Sequence, residues 1–397
     1  MNPLQVPAFR TWMSVRSFTM TAVQVQTTAV GWWVYDATGD PLDLAWVGLA
    51  QFVPILVLAL PAGQLADRYD RRWLLASCYV LHGTVNGVFA ALAATGHAST
   101  STVVALCVAV GVSRAFGNPA GQAITPSLVP APSLSRAMAM SSILFQAATV
   151  GGPSLAGLML ATGSAVPAFV ISSVLMLIAS TLVLRLPAPR TEPKHVTWQT
   201  LLAGVRYVVE HKVVLGCTSL DLFAVLLGGA TALLPVYATD ILHAGPRGYG
   251  LLRAAPAVGA AAVALLLATR PIERSAGLKM FTAVFVFGLA TLVFGLSRSF
   301  PLSLFALAVL GGADMVSVVV RQTLVQVSTP DEMRGRVSAV NLVFISASNE
   351  LGEFESGLTA RLFGAVQAVV IGAVGTMGVT LAWAGLFPEL RKADRMG

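Results

Sequence analysis

Charge is scarce in this sequence. Only 11% of its 397 residues are Asp, Glu, Lys or Arg, whereas a soluble domain carries about a quarter. Hydrophobic residues make up 56% of the chain. Because so few residues could be hydrated, the composition excludes a soluble globular protein and indicates an integral membrane protein.

Cysteine and recognisable catalytic motifs are also scarce. Cys78, Cys107 and Cys217 lie in apolar stretches without paired spacing, so we interpret them as small packing residues rather than disulfide, metal or redox groups. No G-x-x-x-x-G-K-[ST] loop occurs, which excludes a self-contained ATP-driven pump. The five histidines are scattered, and we expect neither a metal nor a cofactor.

Apolar runs of about 20 residues, long enough to cross a bilayer, recur along the whole chain. They predict an all-α integral membrane fold with twelve transmembrane helices in two pseudo-symmetric six-helix bundles. The predicted domains are an N-terminal bundle at 1–186, a linker at 187–212, a C-terminal bundle at 213–390 and a tail at 391–397. The runs are centred near Val23, Val53, Val85, Gly111, Thr149, Leu175, Leu226, Gly259, Val286, Val309, Ala347 and Gly375.

The net charge of +7 follows the predicted topology. Eighteen Lys and Arg residues fall in segments that are inside if the N-terminus is inside, and three fall in the outer loops. The positive-inside rule then places both termini in the cytoplasm of a bacterial-type cell with the chain in its inner membrane. The basic balance therefore indicates topology, and we expect no nucleic-acid partner. We expect a monomer that contacts membrane lipids.

The linker between the predicted bundles contains an amphipathic helix. Its apolar residues follow helical spacing, and we expect it to lie along the inner membrane surface. The stripe consists of Trp198, Leu201, Leu202, Val205, Val208 and Val209.

An offset of 200 residues points to internal duplication. It matches Gly111 with Gly311 and Gly152 with Gly352, and it pairs span four with span ten and span five with span eleven. Repeats of this kind place a substrate site at their interface near the bilayer midplane.

Polar residues within spans are costly, which makes them functional candidates. Arg114, Asn118 and Gln122 recur at i, i+4 and i+8 on span four. Asp314, Ser317 and Arg321 form a similar stripe on span ten, and the offset pairs Arg114 with Asp314. We predict that both stripes face a central substrate cavity.

The candidates for proton coupling are Glu350 and Glu353 on span eleven, then Asp314 and Asp221. A carboxylate in a low-dielectric cavity can take up a proton on one side and release it on the other. The alternative is that the acids, Glu355 included, are static partners of Arg114, Arg253, Arg321 and Arg361 that fix helix register.

Neutral polar residues on spans one and five could also bind substrate. Thr21, Gln24 and Thr28 share one face of span one, and Gln146 on span five could join them. Ordinary interhelical hydrogen bonding is the alternative interpretation.

The loop after span two carries the most specific motif. It reads Gly63-Gln-Leu-Ala-Asp67-Arg68-Tyr-Asp70-Arg71-Arg72 and resembles the signature loop G-x-L-A-D-R-x-G-R-R of the major facilitator superfamily. Asp70 stands where that pattern has glycine, and Gly63 is expected to allow close helix approach. The resemblance implies a conformational latch that includes Gly63, Asp67, Arg68, Asp70, Arg71 and Arg72, with Asp67 near Arg334 and Arg336.

Span five reads Gly152-Pro153-Ser-Leu-Ala-Gly157 and resembles the antiporter motif of exporters in that superfamily, although an ordinary helix kink is the alternative. Further segments resemble the branch that contains the enterobactin exporters. They are Phe9-Arg10, the segment from Leu220-Asp221 to Leu234-Pro235, Leu252 to Pro256 and Asp331 to Arg336.

The resemblance implies a secondary active exporter of a siderophore or an amphipathic drug-like molecule, driven by the proton gradient. An importer or lipid flippase of the same fold is the main alternative. A membrane-embedded enzyme or a sensor fits less well, because the sequence offers neither a coherent catalytic group nor an appended soluble domain.

Overall fold

The computed structural model describes residues 3–96, 99–130, 133–187, 198–270, 272 and 274–393. Within them the regular structure is helical. The longer helices are α1 (Pro7–Thr38), α2 (Pro41–Arg68), α3 (Arg71–Thr95), α4 (Thr100–Leu128), α5 (Leu134–Leu160), α6 (Val166–Val183), α7 (Trp198–Glu210), α8 (Lys212–Leu227), α10 (Gly245–Thr269), α11 (Ala276–Leu296), α12 (Phe300–Val327), α13 (Asp331–Phe363) and α14 (Ala365–Leu386). Two short helices complete the set, α9 (Leu234–Val236) and α15 (Pro388–Arg391).

Ten segments of the described chain are long and apolar enough to cross a membrane. The two other long helices, α1 with 32 residues and α13 with 33, are more polar, and α13 carries three glutamates within six positions. The total of twelve spans therefore stays a prediction for α1 and α13. Buried polar residues in a span are the usual mark of a helix that faces protein or water rather than lipid.

The predicted seventh span is not one continuous helix. Helix α8 ends at Leu227, and Gly228 and Gly229 interrupt it before a 3-10 turn at Ala230–Leu233, the short α9 and a π-turn at Tyr237–Ile241. Two adjacent glycines weaken a helix because they contribute no side-chain packing and retain the most backbone freedom.

The chain forms two compact units. Unit 1 comprises Met1–Ala37 and Leu49–Val196, and unit 2 comprises Thr38–Gly48 and Thr197–Gly397. This division differs from the predicted domains, because Thr38–Gly48 belongs to unit 2. That segment includes the start of α2. Packing between α2 and α13 accounts for this, since a methyl group on Gly357 would lie 2.7 Å from Ala45 Cβ.

The core of unit 1 is built from α1, α3, α4 and α6. Trp12 is buried and donates from Nε1 to Thr125 Oγ1 at 2.8 Å, which ties α1 to α4. Helix α3 packs against α4 and α6. Unit 2 has its own core, formed mainly by α8, α11, α12 and the first part of α13.

Glycine crossings recur in the two units at the 200-residue offset. Gly111 on α4 contacts the Gln51 carbonyl on α2, and Gly311 on α12 contacts the Pro256 carbonyl on α10. A second pair of crossings has the same offset: Gly152 on α5 packs on Gln24 of α1, and Gly352 on α13 packs on the Val225 and Leu226 carbonyls of α8. Close approach of a neighbouring helix needs glycine at each crossing, which explains these matches in the sequence.

The linker helix α7 packs partly on its own unit. Val208 is buried, Tyr207 donates its hydroxyl to the Ser328 carbonyl at 2.7 Å, and Gly204 lies against the Arg336 carbonyl. Val205 and Val209 remain exposed. The predicted stripe is therefore divided between protein contacts and an open apolar edge, while the side chains of Trp198, Leu201 and Leu202 lie outside the described part.

Candidate functional site

A polar cavity of about 420 Å³ lies within unit 1. The α4 stripe Arg114, Asn118 and Gln122 lines it, as the helical spacing predicts, and Gln24 of α1 lines it too. The remaining lining residues are Trp12, Arg16, Thr19, Met20, Val23, Tyr79, His82, Ser113, Gly117, Gly121, Phe145, Ala148 and Met176.

The lining of this cavity is cationic. Among its described residues it contains two arginines, Arg16 and Arg114, and no carboxylate. Arg114 Nη1 donates to Gln51 Oε1 over a long 3.4 Å, and the buried Arg16 Nε makes no hydrogen bond to the described residues. Sequence analysis did not include Arg16 among the cavity candidates, because its position relative to the cavity depends on how α1 packs.

The neutral polar residues of α1 and α5 divide between different surroundings. Gln24 donates from Nε2 to Thr149 Oγ1 at 3.1 Å while still lining the polar cavity, and Thr28 is buried with its hydroxyl donating to the Gln24 carbonyl at 2.7 Å. Thr21 lines a second, mainly apolar cavity of about 630 Å³, and Gln146 is half-buried. Interhelical hydrogen bonding thus accounts for part of Gln24, whereas the hydroxyl of Thr28 bonds within its own helix.

Helix α5 runs without interruption through Gly152-Pro153. Gly152 lies against the Gln24 side chain, so it permits close packing of α5 on α1, and Gly157 is buried. Gly152 also lines the apolar cavity. The exporter role of this motif stays a prediction.

The loop between α2 and α3 is held by local contacts. Asp70 is the N-cap of α3, with φ −62°, and accepts from the Arg72 backbone at 2.9 Å and from its guanidinium at 2.7 Å. These donated hydrogen bonds from the Arg72 side chain lower the pKa of the Asp70 carboxyl. Because φ is negative, aspartate fits where the resembling pattern has glycine, and the capping bond explains why it suits the position.

Arg72 also joins this loop to the segment that follows α6, since its Nη1 donates to the Leu186 carbonyl at 2.7 Å. No described atom lies within 4 Å of a methyl group placed on Gly63, so close helix packing at this glycine stays a prediction. Arg68 is exposed, and Arg71 has an interaction partner. The Asp67 side chain lies outside the described part, so the latch stays a prediction.

The predicted partners of the latch on α13 have local contacts as well. Arg334 donates from Nε to the Gln326 and Thr329 carbonyls, at 3.2 Å each, where α12 ends. Arg336 is exposed, with Nη1 3.5 Å from Met333 Sδ.

A buried ion pair lies within unit 2. Arg321 Nη1 donates to Asp221 Oδ2 at 2.5 Å, and the two side chains are 3% and 8% exposed. Asp314 and Ser317 line a small cavity of about 10 Å³ together with Asp221. The α4 stripe thus lines a cavity of unit 1, and Asp314 and Ser317 of the α12 stripe line a cavity of unit 2. The static interpretation fits Asp221, whose partner Arg321 is one of the four arginines considered for that role.

Glu350 and Glu353 converge on one point of α2. A methyl group on Gly48 would lie 3.1 Å from Glu353 Oε2 and 3.9 Å from Glu350 Oε2. Both side chains are half-buried, and both have further interaction partners. Sequence analysis placed them on one helix face but missed Gly48, for which no local signal exists.

The other charged residues of this region have separate contacts. Glu355 accepts from Thr359 Oγ1 at 2.8 Å, and Arg361 pairs with Asp40 at 3.1 Å rather than with a glutamate of its own helix. Among the described residues, no group of three or more His, Cys, Asp and Glu side chains could hold a metal ion.

Comparison with known proteins agrees with this architecture. The enterobactin exporter EntS of Citrobacter koseri is 27% identical over 389 residues, which cover 96% of this chain and 88% of that protein. EntS of Escherichia coli O81 is also 27% identical, over 95% of this chain and 87% of the relative.

Solved transporters share the fold. A variant of the nucleoside transporter NupG superposes with a TM-score of 0.79 at 12% identity, covering 96% of this chain and all of that one. A bacterial homolog of the human lysosomal transporter Spinster, in an inward-facing conformation, gives 0.74 at 15% identity, with 97% and 98% coverage. The all-helical membrane fold predicted from the sequence is thereby confirmed.

The model of the transmembrane secretion effector family matches residues 1–396. Membership makes the chain a multi-pass membrane transporter that handles a small-molecule substrate, and not an enzyme. The chain therefore belongs to the transmembrane secretion effector family, a family of major facilitator transporters.

Proposed function

We propose that the chain is a proton-coupled exporter of a small amphipathic organic molecule, such as a siderophore or a drug-like compound, that works by alternating access. Two features support this. Relatives over nearly the whole chain are named as enterobactin exporters, and the unit 1 cavity of about 420 Å³ falls in the usual size range of small-molecule sites.

The convergence of Glu350 and Glu353 on Gly48 is the observation that carries the coupling mechanism. Two neighbouring carboxylates repel each other when both are ionised, and the uptake of one proton relieves that repulsion. A pair of this kind can exchange a proton in response to a change in its surroundings. Asp314, which lines a cavity beside the ion pair of Asp221 and Arg321, is the second candidate.

The proton gradient is the proposed driving force, without any bound cofactor. A membrane potential of 100 mV is worth about 2.3 kcal/mol for each proton charge that crosses. We place the chain as a monomer in a bacterial inner membrane with both termini in the cytoplasm. The bias of eighteen basic residues against three between the predicted inner and outer segments supports this orientation.

Everted membrane vesicles from cells that produce the chain give the direct test. Respiration acidifies their lumen, and a pH-sensitive acridine dye reports the gradient. Enterobactin and a panel of anionic, neutral and cationic amphipathic compounds are then added one at a time. An exported compound should accumulate in the lumen and should at the same time release protons, which restores the dye fluorescence.

Vesicles from cells without the chain are the control. Accumulation of a compound that leaves the pH gradient undisturbed would remove proton coupling from the proposal. Accumulation only in right-side-out vesicles would show import instead of export.

A further inference from the structure

The unit 1 cavity contains positive charge without an internal counter-charge. Arg16 and Arg114 both line it, and its described lining includes no carboxylate. A charged group within a membrane span is costly unless it is paired or hydrated. The unit 2 arginine, Arg321, has such a partner in Asp221.

The hydrogen bonds of the two cavity arginines leave donors available. Arg114 makes a long contact of 3.4 Å with the neutral Gln51 amide, and the buried Arg16 Nε has no acceptor among the described residues. A guanidinium offers five N–H donors in a planar arrangement that matches the oxygens of a carboxylate or a sulfonate. The amides of Asn118 and Gln122 add neutral donors to the same lining.

An apolar cavity of about 630 Å³ adjoins the cationic one. Ala148 lines both, and Gly152 at the crossing of α1 and α5 lines the apolar side. Its wall includes Met13, Met140 and Ile143, and thioether side chains adapt to ligands of different shape. An acidic head and an apolar body therefore have complementary surroundings within one unit.

We propose that unit 1 binds an amphipathic organic anion, with its acidic group between Arg16 and Arg114 and its apolar body in the adjoining cavity. This inference rests on the proposed transport function for its biological meaning, but binding can be measured without transport. It narrows the substrate class from amphipathic molecules in general to those with an acidic group.

Equilibrium dialysis of the purified full-length chain in phosphatidylcholine nanodiscs provides the test. The probes are radiolabelled 2-naphthoate and its neutral analogue 2-naphthamide, which differ in charge while sharing size and apolar surface. Naphthoate should bind at least about tenfold more tightly than naphthamide, because one charge-assisted hydrogen bond can supply that difference in affinity.

Arg16→Gln and Arg114→Gln should each weaken naphthoate binding much more than naphthamide binding, which reduces the preference for the acid. Arg114→Lys retains the charge and should keep most of the preference, which guards against a variant that fails for reasons of folding. Arg136→Gln removes an exposed arginine of α5 that does not line the cavity, and it should bind like the unchanged chain. Equal binding of acid and amide, at whatever level, would overturn the proposal.

An anionic lipid headgroup has related chemistry, and nanodiscs that contain phosphatidylglycerol separate the two sources. Naphthoate binding that persists in these nanodiscs supports a site for organic anions. Complete displacement by phosphatidylglycerol would overturn the proposal in favour of a lipid site. Arginine-dependent naphthoate binding without proton release in everted vesicles would refute the proposed function alone.

Discussion

Helix α4 of unit 1 and helix α12 of unit 2 occupy matching places in the repeat but hold opposite charges. Arg114 and Asp314 stand 200 residues apart, and each lines a cavity of its own unit. The α4 cavity measures about 420 Å³ and contains two arginines, whereas the α12 cavity measures about 10 Å³ beside a closed ion pair.

This difference shows that positions at the 200-residue offset have different surroundings in the two units. In unit 2 the Arg321 guanidinium is paired with the Asp221 carboxylate, and the cavity beside this pair is small. In unit 1 the described lining provides no such acid, and the space is large enough for a ligand. We infer that unit 1 provides the binding charge and that the acids of unit 2 are available for coupling.

The largest expected effect is a difference in stability between variants of Arg321 and Arg114. Arg321→Gln should lower the free energy of unfolding by about 3–5 kcal/mol, because it leaves Asp221 charged and buried without its partner. Arg114→Gln should change the free energy of unfolding by about 1 kcal/mol or less, since its hydrogen bond to the neutral Gln51 is long at 3.4 Å. Thermal unfolding of the purified variants in detergent measures both.

A double variant controls this comparison. Asp221→Asn combined with Arg321→Gln removes both charges and should recover much of the stability that Arg321→Gln loses. Asp221→Asn alone should be destabilising, because it leaves Arg321 charged and buried. If Arg321→Gln and Arg114→Gln were equally mild, the ion pair would not stabilise unit 2, and the contrast between the units would fail.

A smaller effect is expected at the glycine crossings, where the two units should behave alike. Gly111→Ala and Gly311→Ala each place a methyl group against a backbone carbonyl and should cost about 1–3 kcal/mol of stability. Gly378→Ala on α14 is the matched control, because no described atom lies within 4 Å of its added methyl group. A melting temperature that falls for Gly378→Ala but not for Gly111→Ala and Gly311→Ala would contradict equivalent glycine crossings in the two units.

The smallest effect is expected at Asp70, in the loop between α2 and α3 of unit 1. Asp70→Ala should cost about 1 kcal/mol because it removes the N-cap of α3. Asp70→Asn retains a capping oxygen and should lose only the interaction with Arg72, a few tenths of a kcal/mol for a surface pair.

The pH dependence of this loop has a definite sign. Because the folded-state pKa of Asp70 is lowered by Arg72, its stabilising contribution is present above the unfolded-state pKa and is lost as the pH falls through the folded-state value. The stability difference between the unchanged chain and Asp70→Asn should therefore shrink on acidification. A difference that grew towards low pH would contradict the assigned ion pair.

The sequence predicts the helical features of this molecule well. The 3.6-residue period is sufficient to bring Arg114, Asn118 and Gln122 to one face, and matched glycines at an offset of 200 residues anticipate equivalent helix crossings. The loop and span motifs likewise indicate the family that the match over residues 1–396 establishes.

Features that depend on distant contacts are less accessible. The pairing of Asp221 with Arg321 spans 100 residues, and periodicity alone does not select it from several acids and arginines. The convergence of Glu350 and Glu353 on Gly48 depends on how α13 is seated, and so does the position of Arg16 on α1. The break in α8 did have a local signal in the dipeptide Gly228-Gly229 within an apolar run.

The central claim is that the cavity of unit 1 binds substrate and that acids of unit 2 couple transport to protons. One paired measurement in everted vesicles tests it most directly. Substrate accumulation and proton release are recorded together for the double variant Glu350→Gln with Glu353→Gln, and for Glu355→Gln as the control acid of the same helix. The account predicts that the double variant still binds substrate but neither accumulates it nor releases protons, while the control behaves like the unchanged chain. Accumulation with full proton release in the double variant would contradict it.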